Sequence, residues 1–161
     1  MTLLLVLSAL LVQDQAFPEA DPKPAIASAR KKASEENRQV LVVWGSNDSE
    51  ESRAVASILK SHKELKKLLL YEYDLVFADV RHADAGMKSV MEKERLPWLA
   101  LPAPDGTSVG YYNPPPDSKE WIAFLKKNQR APKVAKEVLE AGKKKAVGEK
   151  KRVLLTFGAP W

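Results

Sequence analysis

The chain of 161 residues contains no cysteine and only two histidines, His62 and His82. The lack of cysteine excludes disulfide bonds, thiol nucleophiles and thiolate-bound metal ions for this chain. The remaining composition is typical of a globular protein, since 45% of the residues are hydrophobic and 29% are charged. The length corresponds to a single domain of ordinary size.

Acidic residues outnumber basic ones over most of the sequence. Residues 1–125 carry 15 Lys and Arg against 18 Asp and Glu, whereas residues 126–161 carry 11 against 3. The net charge of +5 is therefore local to the C-terminal segment, and we expect no nucleic-acid partner. An alternative function is that of an adaptor whose basic tail, residues 126–152, binds acidic surfaces. Salt-dependent binding would reveal such an adaptor.

The N-terminus carries the longest apolar run, Leu3 to Val12. The run is too short to cross a membrane and has the length of a signal-peptide core. No Lys or Arg precedes it, so the α-amine is the only positive charge there. We predict a signal peptide over residues 1–16, with cleavage after Ala16, export to the periplasm or the extracellular space, and no stable membrane insertion afterwards. The alternative is a buried first helix in a cytoplasmic protein.

Helical and strand-like patterns alternate after a Pro-rich linker predicted over residues 17–23. The run Val40 to Trp44 is apolar and β-branched, which is typical of a strand buried on both faces. Asp105 and Gly106 indicate a hairpin turn. The sequence thus predicts an α/β fold with parallel crossovers first and an antiparallel hairpin last. Helices are predicted over 25–37, 49–60, 62–70, 83–92 and 117–128, and strands over 40–44, 75–80, 98–102 and 107–112.

This order of elements resembles the thioredoxin fold. The family pattern is a buried strand, then Gly-Ala-x-Trp-Cys-x-x-Cys opening a helix, and later a cis-proline before a hairpin. Here Gly45 and Ser46 take the first two places, Ser49 and Ser52 fall on the two cysteines, and Pro97 falls on the cis-proline. The resemblance implies a thioredoxin-like domain over residues 24–130, with a central mixed sheet flanked by helices.

The two serines decide the chemistry that this resemblance implies. In redox members, a cysteine at a helix N-terminus has its thiolate stabilised by the helix dipole and by free N–H groups. A serine hydroxyl cannot form a disulfide and is hardly ionised near neutral pH. Asp48, Glu50 and Glu51 would also oppose an anion there, and Asp48 with Glu51 indicates a capping box. We predict a domain that is inactive in thiol–disulfide exchange and needs no cofactor.

Two other chemistries at the same residues have weaker support. Ser49 as a hydrolase nucleophile would need a histidine and an orienting acid nearby, and neither His62 nor His82 lies in a recognisable motif. Asp48, Glu50 and Glu51 lack the glycine and the alternating ligand spacing of a calcium loop. We therefore interpret these residues as a solvated helix start and predict no metal site.

The resemblance also implies a binding groove between two segments, 45–49 and 96–98. Its partner would be an extended peptide or another protein, so the domain would serve as a structural or peptide-binding module. Trp44 and Trp98 belong to this predicted site, although large aromatic residues are usually core residues, which is the simpler interpretation of both. The predicted binding residues are Trp44, Gly45, Ser49, Leu96, Pro97 and Trp98.

The end of the sequence repeats its beginning. A shift of 113 positions places residues 153–158 on residues 40–45, and Gly158 to Trp161 resembles the family's Gly-Ala-x-Trp. A second thioredoxin-like unit would thus begin over residues 131–161 with a helix and a strand. The next residue would be its first catalytic cysteine. Three explanations for a stop at Trp161 stay open. The sequence could be a fragment, the gene could be truncated by mutation, or a selenocysteine codon at the next position could be read as a stop. Under the enzyme hypothesis, the complete product would be a thiol or selenol disulfide oxidoreductase.

Overall fold

The computed structural model describes residues 15–85, 87–88, 96–102, 108–112 and 118–155. Helices and strands alternate through the first half of the chain, and two strands and two helices follow. The elements are α1 Lys23–Glu36, β1 Gln39–Gly45, α2 Glu50–Ser61, α3 Lys63–Glu72, β2 Tyr73–Asp79, a 3₁₀ turn Val80–His82, β3 Trp98–Pro102, β4 Ser108–Tyr112, α4 Ser118–Lys127 and α5 Ala135–Gly148.

The four strands form one mixed sheet in the order β2-β1-β3-β4. β1 runs parallel to β2 and antiparallel to β3, and β3 runs antiparallel to β4. β1 is therefore hydrogen-bonded on both sides, and every residue from Val40 to Gly45 is buried. The predicted buried strand over residues 40–44 is confirmed, and so is the α/β fold class.

The side chains of β1 alternate between two cores, as the pleat of a strand requires. Leu41 and Val43 lie in the larger core, with residues of α2, α3 and α4. Val40, Val42 and Trp44 lie in the smaller core, which contains Ala33 of α1 and Trp98 of β3. Helices thus cover both faces of the sheet. None of the helices in the described ranges is long and apolar enough to cross a membrane.

The linker predicted over residues 17–23 is wrong at its first residue. Phe17 is completely buried in the larger core, and its ring meets that of Phe77 edge-on at a centroid distance of 5.6 Å. Pro22 is also buried, and α1 already begins at Lys23. The Pro-rich composition indicated a linker, but a contact with a distant residue fixes this segment on the domain.

The residues predicted to begin a second unit, 131–161, include α5. The strand predicted over residues 153–157 does not form in its described part, since residues 151–155 belong to no helix or strand. Leu154 is 86% exposed. A strand needs a neighbour for its backbone groups, and no described strand pairs with this segment. The residues from 156 onwards and the predicted Asp105–Gly106 turn lie outside the described residues. So do residues 86 and 89–92, which are half of the helix predicted over residues 83–92.

Candidate functional site

The turn between β1 and α2 places the two serines at the start of a helix. The Ser49 N–H donates to the Ser46 carbonyl at 3.2 Å, which closes the turn. Ser49 has extended backbone angles, φ −85° and ψ 123°, and its Oγ accepts a hydrogen bond from the Ser52 N–H at 3.1 Å. This is the geometry of a helix N-cap. The N-cap is therefore Ser49, one residue later than the capping box predicted at Asp48.

The two serines differ sharply in their surroundings. Ser49 is partly exposed, and its hydroxyl lies 3.2 Å from Glu51 Oε2. Ser52 is completely buried, and its Oγ has no hydrogen-bond partner among the described residues. A Cβ placed on Gly45 would lie 3.0 Å from Ser52 Oγ and only 2.4 Å from Phe17 Cζ. The first motif position is thus reachable from solvent, while the second is enclosed beneath β1 and Phe17.

Neither histidine is hydrogen-bonded to a serine of this turn. His62 caps the opposite end of α2, and its Nδ1 is buried without a partner in the described part of the chain. His82 Nε2 lies 2.7 Å from the Glu19 carbonyl. The described residues hold no group of three or more His, Asp or Glu side chains placed to bind a metal ion.

The Leu96–Pro97 segment reaches the same end of the sheet. The Leu96–Pro97 peptide bond is cis, Pro97 is buried and Leu96 is partly exposed. Trp98 is opposite Trp44 in the β1–β3 ladder, and one further step of this register places Pro97 beside Gly45. The structure thus brings the two predicted segments of the groove together.

The two tryptophans of the predicted binding set are core residues. Trp44 is 6% exposed and Trp98 is 4% exposed, and both lie in the smaller core on the α1 side of the sheet. Neither tryptophan presents an open ring face to a ligand. Of the six predicted binding residues, Ser49 and Leu96 are partly exposed, whereas Gly45 and Pro97 are buried like the tryptophans.

Sequence reasoning missed the segment that is fixed beside this site. Asn47 Nδ2 donates to the Phe17 carbonyl at 2.7 Å, and the Phe17 N–H donates to Asn47 Oδ1 at 3.1 Å. Farther along, Arg81 forms an ion pair with Glu19 at 3.5 Å. Asn47 therefore ties residue 17 to the turn. The only signal in the sequence was a large aromatic residue inside a supposed linker.

Asp79 is a second residue that the sequence analysis missed. It ends β2 opposite Gly45 and is only 2% exposed. Its carboxylate accepts hydrogen bonds from the Arg81 N–H at 2.8 Å, from Arg81 Nε at 3.0 Å and from Arg81 Nη2 at 2.8 Å. Burial by itself would raise the pKa of Asp79, but the hydrogen bonds and charge of Arg81, with the charge of His82, together hold that pKa below its ordinary value.

Comparison with known proteins identifies the family. A family profile described as thioredoxin-like matches residues 21–104, which is more than half of the chain. The chain belongs to the thioredoxin-like family. The matched range of this thioredoxin-like domain contains Ser49, Ser52 and Pro97. No sequence among the curated proteins matches the chain.

Two solved structures share the thioredoxin-like fold with this chain. One is the disulphide isomerase from Xylella fastidiosa Temecula1, at 16% identity and a TM-score of 0.52, which covers 71% of this chain and 88% of that one. The other is the oxidised DsbD C-terminal domain of Neisseria meningitidis, at 12% identity and a TM-score of 0.50. It covers 68% of this chain and 97% of that one. At these identities the likeness establishes the thioredoxin-like fold alone.

The lowered pKa of Asp79 predicts how the thioredoxin-like domain responds to acid. An aspartate in an unfolded chain titrates near pH ~3.9. Because the folded pKa lies lower, the stabilisation by Asp79 is present above that value and is lost as the pH falls through the folded pKa. In urea titrations, the stability difference between the wild type and Asp79→Asn should therefore be larger at about pH 7 than at about pH 3.

Arg81→Ala provides the sharper test of the same ion pair. It leaves the burial of Asp79 and removes the guanidinium hydrogen bonds and charge that lower its pKa, while the backbone N–H of residue 81 and the charge of His82 remain, so the pKa should be higher than in the wild type. A higher folded-state pKa reduces the stabilisation by the charged form of Asp79, so less stability is lost as the pH falls. Relative to wild type, Arg81→Ala should regain stability as the pH falls. If the stability difference from wild type does not change with pH in either variant, Arg81 does not lower the pKa of Asp79 as described.

Proposed function

We propose that this thioredoxin-like domain is inactive in redox chemistry and acts as a structural or peptide-binding module. The observation that carries the proposal is the pair of serines at the start of α2, in a chain that has no cysteine at all. Thiol–disulfide exchange begins with the attack of a thiolate on a disulfide sulfur and passes through a mixed disulfide. A hydroxyl oxygen at Ser49 cannot form that intermediate.

The hydrogen bonds of Ser49 support a structural role for its side chain. Its Oγ accepts a hydrogen bond from the Ser52 N–H and lies within hydrogen-bonding distance of Glu51. The hydroxyl therefore caps α2. Glu50 and Glu51 lie in the first turn, where they complement the positive end of the helix dipole. These carboxylates also disfavour a second negative charge at Ser49. The local electrostatics therefore favour a stable helix start over an activated nucleophile.

The groove at the end of β1 and β3 supports the binding role. Ser46 and Ser49 are partly exposed on one side, and Leu96 is partly exposed on the other. An extended peptide lying between these residues would meet polar groups on one side and an apolar side chain on the other, which suits its backbone hydrogen bonds and its side chains. The ends of the paired strands β1 and β3 would hold such a binding site in place.

Two measurements test the proposal together. The purified chain should reduce insulin with dithiothreitol no faster than buffer does. A permanently unfolded polypeptide, reduced and carboxymethylated α-lactalbumin, should shift the NMR amide resonances of the turn after β1 and of Leu96. Ser46→Arg should weaken this binding about tenfold by filling the groove, whereas Ser57→Arg, on the exposed surface of α2, should change it less than about twofold.

Each half of the proposal has its own contrary result. Insulin reduction above the buffer background would refute redox inactivity. Amide shifts spread over the whole surface, or equal weakening by Ser46→Arg and Ser57→Arg, would refute binding in the groove and leave a structural role.

A further inference from the structure

The outer edge of β2 is open over the described part of the chain. β2 is the terminal strand of the sheet, and no described strand pairs with its outer side. Residues 75–77 of β2 are opposite residues 41–43 of β1, and both triplets are apolar. The β1 triplet is completely buried, whereas all three β2 residues are partly exposed. Because side chains alternate along a strand, this exposure affects both faces of β2. This is the exposure expected of a strand that lacks a neighbour.

A shallow groove of about 540 Å³ runs beside this open edge. Its apolar wall consists of Leu59 from α2, Leu69 and Leu70 from α3, and Leu75 from β2. Leu70 is 62% exposed, so the groove presents unburied apolar surface directly next to unpaired strand backbone. A segment that added to β2 would cover both features at once.

The groove carries an excess of positive charge. Four of its lining residues are cations, namely Lys32, Arg38, Lys60 and Lys66, and Asp74 is the single carboxylate among them. Arg38 and Lys32 both bind this carboxylate, with nitrogen–oxygen distances of 3.1 and 3.3 Å. Lys60 Nζ lies above the Phe77 ring, 5.7 Å from its centroid. Glu36 also pairs with Arg38 at 3.2 Å, and the resulting balance of +4 against −2 still favours an acidic occupant.

We propose that this groove binds an extended acidic segment of a partner protein, which adds to β2 as a further strand. Backbone hydrogen bonds to the strand edge would supply affinity, and alternate side chains would supply selectivity. Apolar side chains of the segment would meet the leucines, and its carboxylates would meet the lysines. β2 has seven residues, so a segment of the same length, about 23 Å when extended, matches it. This surface is separate from the groove proposed for the redox-motif end of the domain.

Charge also distinguishes this occupant from two others. Residues 2–13 of the same chain carry no charged side chain, so they would leave the cations of the groove unmatched. The tail of a second copy, with Lys150, Lys151 and Arg152 before its exposed leucines, would be repelled by them. An acidic segment matches both the leucines and the lysines.

Fluorescence anisotropy with the full chain tests the proposal. The probe is a labelled seven-residue peptide of alternating valine and glutamate. It should bind saturably at low ionic strength, and the valine–lysine counterpart should not. Lys66→Glu should weaken binding about tenfold. Lys67→Glu, the adjacent exposed residue of α3 that does not line this groove, should change binding less than about twofold. Far-UV circular dichroism checks that both variants are folded.

A modified peptide separates strand addition from simple charge attraction. Methylation of alternate backbone nitrogens removes the donors that would pair with β2 and keeps every carboxylate, so this peptide should not bind. Equal binding of the methylated peptide, equal weakening by the two lysine variants, or no saturation below about 1 mM would overturn the proposal. Tighter binding of a peptide of residues 2–13 would overturn it in favour of the chain's own segment. A dimer that Lys66→Glu strengthens would overturn it in favour of the basic tail of a second copy.

Discussion

Replacing Phe17 with alanine should destabilise the domain by about 3–5 kcal/mol, the usual cost of removing a buried aromatic ring from a well-packed core. The ring is completely buried and meets Phe77 edge-on. It also lies so close to Gly45 that no Cβ fits there, so its removal leaves a cavity beneath the end of β1. Urea denaturation monitored by tryptophan fluorescence measures the loss directly.

Two further variants apportion this effect. Asn47→Ala removes both side-chain hydrogen bonds to the Phe17 backbone and should cost about 1–2 kcal/mol. Pro18→Ala, at the exposed next residue, serves as the control and should change stability by less than about 0.5 kcal/mol. If Phe17→Ala costs no more than the Pro18 control, the segment before α1 is not part of the core.

Replacing Ser49 and Ser52 together with cysteine should convert the inactive site into one that forms a disulfide. The two residues lie three positions apart at a helix start, a spacing that suits the bond. Ser49 is partly exposed and Ser52 is buried, so one sulfur would be available for attack and the other would be sheltered. Thiol titration before and after oxidation, followed by the insulin assay, should show a bond that forms and a slow but measurable reductase activity.

The carboxylates around the helix start explain why this activity should be slow. Glu50 and Glu51 would raise the pKa of the introduced thiol at residue 49 and so reduce its thiolate fraction. Adding Glu50→Gln and Glu51→Gln to the double-cysteine variant should therefore increase the rate. A control with cysteines at residues 49 and 57, more than two helical turns apart, should form no intramolecular bond. Failure of the 49–52 pair to oxidise would show that this turn does not have the geometry proposed.

The sheet and its helices followed from patterns that local sequence carries. The run Val40 to Trp44 is apolar without interruption, and a strand with that pattern must be covered on both faces. The helix after Ser49 was predicted over residues 49–60 and extends from Glu50 to Ser61. Its capping residue was misplaced by one position, because Asp48 and Ser49 are both good caps. Only the backbone conformation of the turn decides between them.

The burial of particular side chains could not be obtained from local patterns. Phe17 is held by Gly45, Asn47 and Phe77, which are 28 to 60 positions away in the sequence. The exposure of Leu154 depends on whether a neighbouring strand is present, which strand propensity does not report. Ser49, Ser52 and Pro97 were found because a family motif fixes their spacing, whereas Asp79 and Arg81 belong to no motif in the sequence.

The pairing of β1 on both sides has a consequence for the cooperativity of the site. Amides in a strand that is bonded to two neighbours and covered on both faces become accessible to solvent only through global unfolding. The turn that carries Ser49 begins where this strand ends, so it is attached to the part of the domain that opens last. Local fluctuations that detach the edge strand β2 from the sheet would leave that turn in place. Opening the turn after β1 should therefore require more free energy than detaching the edge strand β2.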